Sequence, residues 1–452
     1  MKKEKWPILG TMVIRIRQIV ILVGDIALLY AALMLTLVIR YSVDRFATVW
    51  PHHRLPFSLI FVVWLAVLYL NDMYKWRSLT FTPATVQRFL LSITIGLGIS
   101  MVLFYLFGPF FQLTPKTNLV IFSAVFGILD FAWRISAGMV FGSRGLQNRV
   151  LIIGASPAVN ELKSHLLENK HIGYRIQEHL PAPPQSQASK ELAQTIAANK
   201  IDTIVLQSHF KKDPVFTQAL YRLLPLNIAI VDIVTFYEAV FQKIPLNELD
   251  EGWFIENVLL HRRFYDVVKR LFDVTMGVVA GVVLFVPSLI IALVIKIFSP
   301  GPAIYKQQRM GKNEAPFVLY KFRTMRADGV GELWTNPKDN RLTGVGRVLR
   351  FTHLDEVPQL INIIKGDIAL VGPRPERVEL AARYRQLPYY EIRHIIKPGL
   401  TGWAQVNYRP SASLEEAHEK LQYDMFYIKN RSLALDLLVV LKTVKMFLFS
   451  HY

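Results

Sequence analysis

The sequence predicts three parts: a membrane α-helical bundle over residues 1–145, a small α/β domain over 146–260, and an α-rich α+β domain over 261–452, held monotopically at a membrane face. Three observations carry this expectation. Hydrophobic residues make up 52% of the 452 and charged residues 19%, which excludes a disordered or fibrous chain and favours membrane association. Long apolar runs cluster before residue 142 and recur at 271–298. The formal charge of +18 is unevenly spread: residues 1–150 hold 15 basic and 5 acidic groups, 151–260 hold 9 and 12, and 261–452 hold 28 and 17. Such a total suggests nucleic acid, an anionic membrane or anionic substrates. An acidic middle between basic ends removes the support for nucleic acid. The chain has no Cys, so disulfides, Cys-ligated zinc and Cys nucleophiles are excluded.

In the first part, apolar stretches at 19–39, 57–70, 89–111 and 119–140 stand against the ~20 residues a helical span needs. The second is short and draws on Pro56 and Asn71. Lys and Arg near span ends favour the cytoplasm. Lys2, Lys3, Lys5, Arg15 and Arg17 precede the first span; Lys75, Arg77 and Arg88 separate the second from the third; Arg144 and Arg149 come after the fourth. The loops between hold fewer, Arg40, Arg45 and Arg54 in one and Lys116 in the other. Four spans place the chain beyond residue 145 in the cytoplasm. No small-residue cleavage site follows the first span, so it reads as retained rather than as a signal peptide.

From Arg149 short β-rich runs, VLIIGA, DTIVLQ and NIAIVD, alternate with helical stretches at 160–169, 190–199 and 214–224, the pattern of a Rossmann-like parallel sheet. A dinucleotide site needs three spaced glycines for the pyrophosphate to approach. Here the run is GASPAVNE, with Gly154 alone and Pro157 in the turn, so no cofactor is expected. The domain reads as structural, regulatory or oligomer-forming, with a homodimer the partner this implies. PAPPQSQ at 181–187 is a surface loop.

The run at 271–298 is preceded by Arg262, Arg263, Lys269 and Arg270 and followed by Lys296, Lys306, Arg309 and Lys312. Both flanks carry the cytoplasmic mark. Pro287 removes a helical hydrogen bond and leaves half-segments too short to span. A re-entrant helix broken at Pro287 fits both facts; a kinked fifth span is the alternative.

The last part carries the chemistry. In THLDEVPQLINIIKGD (352–367), Val357, Leu360, Ile361 and Ile364 recur at i, i+3, i+4 and i+7. Thr352 as cap and Gly366 as stop then place Asp355 and Glu356 in the first turn of a helix, where the dipole favours ionised carboxylates. Neighbouring carboxylates point apart on a helix, so one could attack while the other holds a metal. Around them lie Lys321 and Arg323 in YKFRTM, Arg347 and Arg350, Arg374 and Arg377 in VGPRPER, and Lys397 in IKPGLTGWAQVN. Arg pairs with phosphate through a planar fork and Lys acts as a point charge. The set fits a pyrophosphate held with a hard divalent metal such as Mg2+.

The segments SPGPAIYKQQRMGKN, YKFRTM, LDEVPQLINIIKGD, VGPRPE and PGLTGWAQVNYR resemble the bacterial sugar transferase family of polyprenyl-phosphate sugar-1-phosphate transferases, over about residues 264 to 446. The N-terminal spans and α/β domain are similar to its large members, which begin exopolysaccharide or O-antigen assembly. The resemblance implies a UDP-sugar donor, undecaprenyl phosphate as acceptor, and two displacements. Asp355 would attack the β-phosphorus, releasing UMP and forming a phosphosugar-enzyme. Glu356 would bind Mg2+, and Arg350 with the Pro373-Arg374-Pro375 turn would hold phosphates. Asp424 in YDMFYIKN is a further structural or active-site candidate. The re-entrant break, commonly Ser-Pro in the family, reads Val286-Pro287-Ser288 here. The run at 433–449, with Lys442 and Lys445, fits either an interfacial amphipathic helix or a core helix.

Two other classes compete. A membrane-anchored nucleotide-sugar dehydratase needs the glycine fingerprint and a Tyr-x-x-x-Lys arrangement, and the fingerprint is missing. A non-catalytic scaffold of a polysaccharide complex would have no use for the acidic pair with its arginines.

Overall fold

The computed structural model describes residues 9–74, 82–111, 116–142, 147–169, 172–183, 188–226, 228–258, 262–325, 342–408 and 413–449. Lys2, Lys3, Lys5, Lys75, Arg77, Arg144 and residues 184–187 lie outside them. The chain forms two compact units, Met1–Val240 and Phe241–Tyr452.

The first unit opens with α1 (Leu9–Leu70), α2 (Pro83–Leu106), the turn-length α3 (Gly108–Phe111) and α4 (Lys116–Gly142). An unbroken α1 of 62 residues would be ~93 Å long, about three bilayer cores. Instead Ser42 leaves helical geometry (φ 64, ψ 165) and divides it into helices over 9–41 and 43–70. The second is longer than its apolar stretch because the polar segment before Phe57 is also helical. Arg40 donates to Asn118 Oδ1 (2.7 Å), and the Asn118 amide meets His53 at 3.0 Å. Among the described residues three helices, α1 among them, are long and apolar enough to cross a membrane. Their common core is aromatic: Phe57, Phe61, Trp64, Phe122 and Phe126 are buried together. Ile19, Val23, Ile39, Val62 and Ile128 face outward, as a bundle in an apolar solvent requires.

One charged cluster interrupts that core. Arg134 on α4 donates to Asp130 Oδ2 (2.9 Å), to Asp25 Oδ2 on α1 (2.7 Å) and to the Met73 carbonyl (2.7 Å), with all three charged side chains buried. Removing the cation strands two carboxylates. Arg134→Leu is expected to cost about 3–5 kcal/mol, read as a lower thermal midpoint of the detergent-solubilised chain. An unchanged midpoint would show that the cluster does not stabilise the bundle.

The same unit continues with β1 (Asn148–Ile153), α5 (Pro157–Glu168), β2 (Tyr174–Leu180), α6 (Ala188–Asn199), β3 (Thr203–Leu206), α7 (Pro214–Leu223), β4 (Ala229–Asp232) and α8 (Ile233–Phe241). All four strands are parallel, in the order β2-β1-β3-β4. β2 has no counterpart among the β-rich runs picked out by sequence, because as an edge strand its YRIQEHL is mostly half-buried and polar. Pro157 opens α5, with Ser156 capping it through the Val159 amide (3.2 Å). The Ala155 amide, which a phosphate would need, donates to Gln207 Oε1 (3.1 Å).

The second unit contains α9 (Glu251–Asn257), α10 (Arg263–Val283), α11 (Phe285–Phe298), the antiparallel hairpin β5 (Ile304–Met310) and β6 (Pro316–Phe322), then α12 (Gly344–Phe351), α13 (Gln359–Lys365), β7 (Ala369–Val371), α14 (Val378–Tyr384), β8 (Gly399–Thr401), α15 (Trp403–Asn407), α16 (Leu414–Asn430) and α17 (Leu433–Phe449). β7 and β8 pair in parallel.

The apolar pair α10–α11 bends by 61°, but not at Pro287. Leu284 (φ −92, ψ 5) forms the break, and Pro287 lies in the first turn of α11. The cause is steric. A proline ring clashes with the carbonyl four residues back, here Val283, so α10 ends there and Pro287 falls where a missing N–H is harmless. The Ser288 amide donates to the Leu284 carbonyl (2.9 Å).

The expected apolar face of α13 also needs correction. The helix starts at Gln359, so the register counted from Val357 crosses a 3-10 turn. The buried residues are Gln359, Asn362 and Ile363, whereas Ile361 and Ile364 are exposed. Asn362 donates to the Val318 carbonyl (2.7 Å) and Asp367 Oδ2 (2.9 Å) and accepts from the Tyr320 amide (3.1 Å), tying α13 to β6. Gly366 (φ 93) closes α13 in the left-handed conformation. Arg270 of α10 donates to the last carbonyls, Ile363 (2.7 Å) and Ile364 (2.8 Å).

α17 is neither wholly interfacial nor wholly core. Asp436 and Val439 are buried, while Leu437, Val444 and Phe447 are exposed. Lys442 donates to Asn407 Oδ1 (2.8 Å) and lies 4.0 Å from the Trp403 ring centroid.

Candidate functional site

The acidic pair does not open a helix. Thr352 bonds back to the Val348 and Leu349 carbonyls, finishing α12. His353 then takes a left-handed conformation (φ 53), and Leu354–Glu356 form a 3-10 turn. Such a backbone is sparsely populated by residues with a Cβ and costs ~1 kcal/mol or more. The ring of His353 meets that of Phe447 at 4.9 Å.

Asp355 is 8% exposed and accepts no hydrogen bond from any described residue. Burial pushes its carboxyl above the ordinary range, and Glu356 adds to this; Lys321, Arg350 and His353 act the other way. The expectation that a helix dipole keeps Asp355 ionised is therefore replaced by an opposing pair, desolvation against nearby cations. Glu356 is different. Its Oε1 accepts from both Lys321 Nζ (2.6 Å) and Arg374 Nη2 (2.8 Å). Burial opposes its charge, but Arg374 and Lys321 overcome that and hold the carboxyl far below the usual range. Lys321 is lowered by burial and Arg374 is raised by Glu356.

Mg2+ is characteristically held by one or two carboxylates together with substrate phosphates and waters. The free carboxylate of Asp355 and the second oxygen of Glu356 fit that form. Among the described residues no three His, Asp or Glu side chains gather into a fuller metal-holding group.

The other sequence candidates scatter around this centre. Arg350 donates to Thr324 Oγ1 (3.0 Å) while acting electrostatically on Asp355. Arg323 is buried and donates to the Ser299 carbonyl (2.6 Å), holding the turn after α11. Arg377 precedes α14 and acts with Arg374 on Arg309. Lys397 is apart from the acidic pair, beside Gly366 and Arg270 at the far end of α13. Asp424 lies beneath the Pro373-Arg374-Pro375 turn: Arg393 bridges it (3.0 Å) to the Arg374 carbonyl (2.9 Å). Glu376 beside it is buried, yet Lys420 and Arg393 bring its carboxyl down to about 2.

Arg309, Arg393, Glu376 and Lys420 are not singled out by sequence as site residues. Arg309 donates to the Pro375 carbonyl (3.0 Å), and burial beside Arg374 lowers its guanidinium to about 10. It was legible in principle. Arg309 pairs with Phe317 and Tyr305 with Lys321 across the hairpin, so strand alternation puts Arg309 and Lys321 on one face.

Asp424→Asn weakens the Arg393 bridge without emptying its space. The expected loss in kcat/KM is about 10- to 100-fold, the kinetic equivalent of the ~1.5–3 kcal/mol in a hydrogen bond to a charged group. A variant with wild-type kinetics would remove Asp424 from any role in positioning Arg374.

Helices long and apolar enough to cross a bilayer, with an acidic pair beside Lys321 and Arg374, are features that fit a membrane protein of the phosphate-handling class. The model of the bacterial sugar transferase family matches residues 264–450. The UDP-N-acetylgalactosamine-undecaprenyl-phosphate N-acetylgalactosaminephosphotransferase of Aeromonas hydrophila is 37% identical over 223 residues, 48% of this chain and 52% of that protein. The UDP-glucose:undecaprenyl-phosphate glucose-1-phosphate transferase of Xanthomonas campestris pv. campestris is 30% identical over 321 residues, 65% of each. That of Caulobacter vibrioides is 41% identical over 191 residues, 41% of this chain and 71% of that protein. The chain belongs to the bacterial sugar transferase family. It spans between half and two thirds of the length of the first two relatives.

Proposed function

We propose that the protein transfers a sugar-1-phosphate from a UDP-sugar to undecaprenyl phosphate, as the first membrane step of exopolysaccharide, capsule or O-antigen synthesis. The observation that carries this reading is the division of labour in the acidic pair. Asp355 accepts no hydrogen bond from the described residues, while Glu356 is held by Lys321 and Arg374.

An Asp355 oxygen attacks the β-phosphorus of the donor, the bond to the UMP oxygen breaks, and UMP leaves with that electron pair. An oxygen of undecaprenyl phosphate then attacks the same phosphorus. Its bond to Asp355 breaks, freeing the carboxylate and yielding the lipid-linked diphosphate sugar. Arg374, Lys321 and Arg309 hold the diphosphate and neutralise its charge. Mg2+, held by the second oxygen of Glu356, would supply further neutralisation of the diphosphate.

The α10–α11 pair serves this scheme as a re-entrant hairpin, and the parallel middle sheet as a Rossmann-like accessory domain, with the catalytic domain on the cytoplasmic face of the bacterial inner membrane. A lipid phosphate at headgroup depth and a soluble donor then meet at Asp355. UMP release from a panel of UDP-sugars, with and without undecaprenyl phosphate, tests the activity. Release from none would remove it. Reporters fused after residues 260 and 310 should both signal cytoplasm; opposite signals would establish a full span.

A further inference from the structure

We propose that an open cleft at the foot of α10 is a binding site for an anionic phospholipid, distinct from the acidic pair. It is a shallow groove of about 650 Å3, open to its surroundings, whose lining includes Arg262, Arg263, Phe264, Tyr265, Arg431 and Leu433. Its walls are clamped. The guanidinium of Arg262 donates to the carbonyls of Arg431 and Lys429, fixing the start of α10 to the turn between α16 and α17. Arg431 sits over the Tyr265 ring at 5.8 Å and pairs with the half-exposed Asp266 (3.4 Å). Arg263 is exposed and makes no ion pair among the described residues. Three guanidinium groups against one carboxylate leave the cleft cationic. Planar forks suit a phosphate diester.

An apolar stripe identifies the phosphate as one attached to an acyl chain. Phe264, Val267 and Leu271 are 82%, 70% and 68% exposed. They recur at i, i+3 and i+7, so they form one face of α10, about 10 Å long, leading away from the cleft. A free phosphate or nucleotide has no use for such a stripe. A phospholipid fits both ends, its headgroup among the arginines and its chain along the helix. This site rests on the reading that α10–α11 enters the membrane from one face.

The test uses the full chain in mild detergent, offered phosphatidylglycerol or phosphatidylcholine of identical chains, with retained lipid counted by native mass spectrometry. Phosphatidylglycerol is expected to be retained at least about fivefold better, the ratio one basic side chain near an anionic lipid contributes. Arg263→Glu should lose that preference while melting normally without lipid, and Arg431→Gln should weaken it. Equal retention of both lipids, or a preference unchanged in both variants, would overturn the proposal. So would displacement by inorganic phosphate without any lipid preference, which would assign the cleft to a soluble anion. Lipid retention needs no turnover. The preference should therefore persist in Asp355→Asn, and failure of the catalytic reading would leave it intact, whereas a wrong membrane topology would appear in the reporter fusions.

Discussion

Asp355→Asn is expected to lower UMP release by about 10³-fold or more, the scale on which loss of a nucleophile is felt, and to abolish any trapped phosphosugar adduct. Its stability should move the other way. Burial raises the Asp355 carboxyl above the ordinary range in the folded chain, so the native state keeps its proton to higher pH than the unfolded chain does. Stability from this group consequently falls as pH rises from the ordinary carboxylate range through the raised folded value. Asn carries no such charge, so the inactive variant should melt at or above the wild-type temperature at neutral pH. In the proposed reaction the attacking form is the carboxylate, so the same shift is expected to move the acid limb of wild-type activity upward. Lys321→Met should move the limb further up, because Lys321 is the strongest cation opposing the shift. Full activity of Asp355→Asn would end the nucleophile assignment.

Glu356→Gln should differ in kind. One carboxylate oxygen takes both Lys321 and Arg374, so its neutralisation leaves two cations facing each other. The expected cost is about 2 kcal/mol of stability, below the ~3–5 kcal/mol of a fully buried pair because the Arg374 side chain is 35% exposed. Activity should fall about 10²-fold, with more Mg2+ needed for half-maximal rate. A variant that melts normally and keeps its Mg2+ requirement would separate Glu356 from both roles.

How far the chain could be read depends on where each signal resides. Apolar length is local, so the long helices were legible, as was the strand-helix alternation after Arg149. β2 was not, because an edge strand buries too little to impose a hydrophobic pattern. The break at Leu284 was legible only to within a turn: Pro287 announces it, but the clash acts on the carbonyl of Val283. The acidic pair was visible as a motif, yet its placement in a helix was not correct, since the left-handed turn at His353 lacks the usual Gly or Asn signal. The bridge from Asp424 through Arg393 to Arg374 joins residues on separate elements. No spacing rule reports it.

The capping of α13 by Arg270 bears on which parts of the molecule can be separated. A helix of seven residues is too short to persist alone in water. α13 gains its C-terminal cap from Arg270, and its Ile363 packs against Gly277, both on α10. The turn that presents Asp355 directly precedes α13. The Asp355 turn therefore depends on the greasy helix for its footing, and a fragment trimmed of residues before 299 for solubility should express as an unformed site.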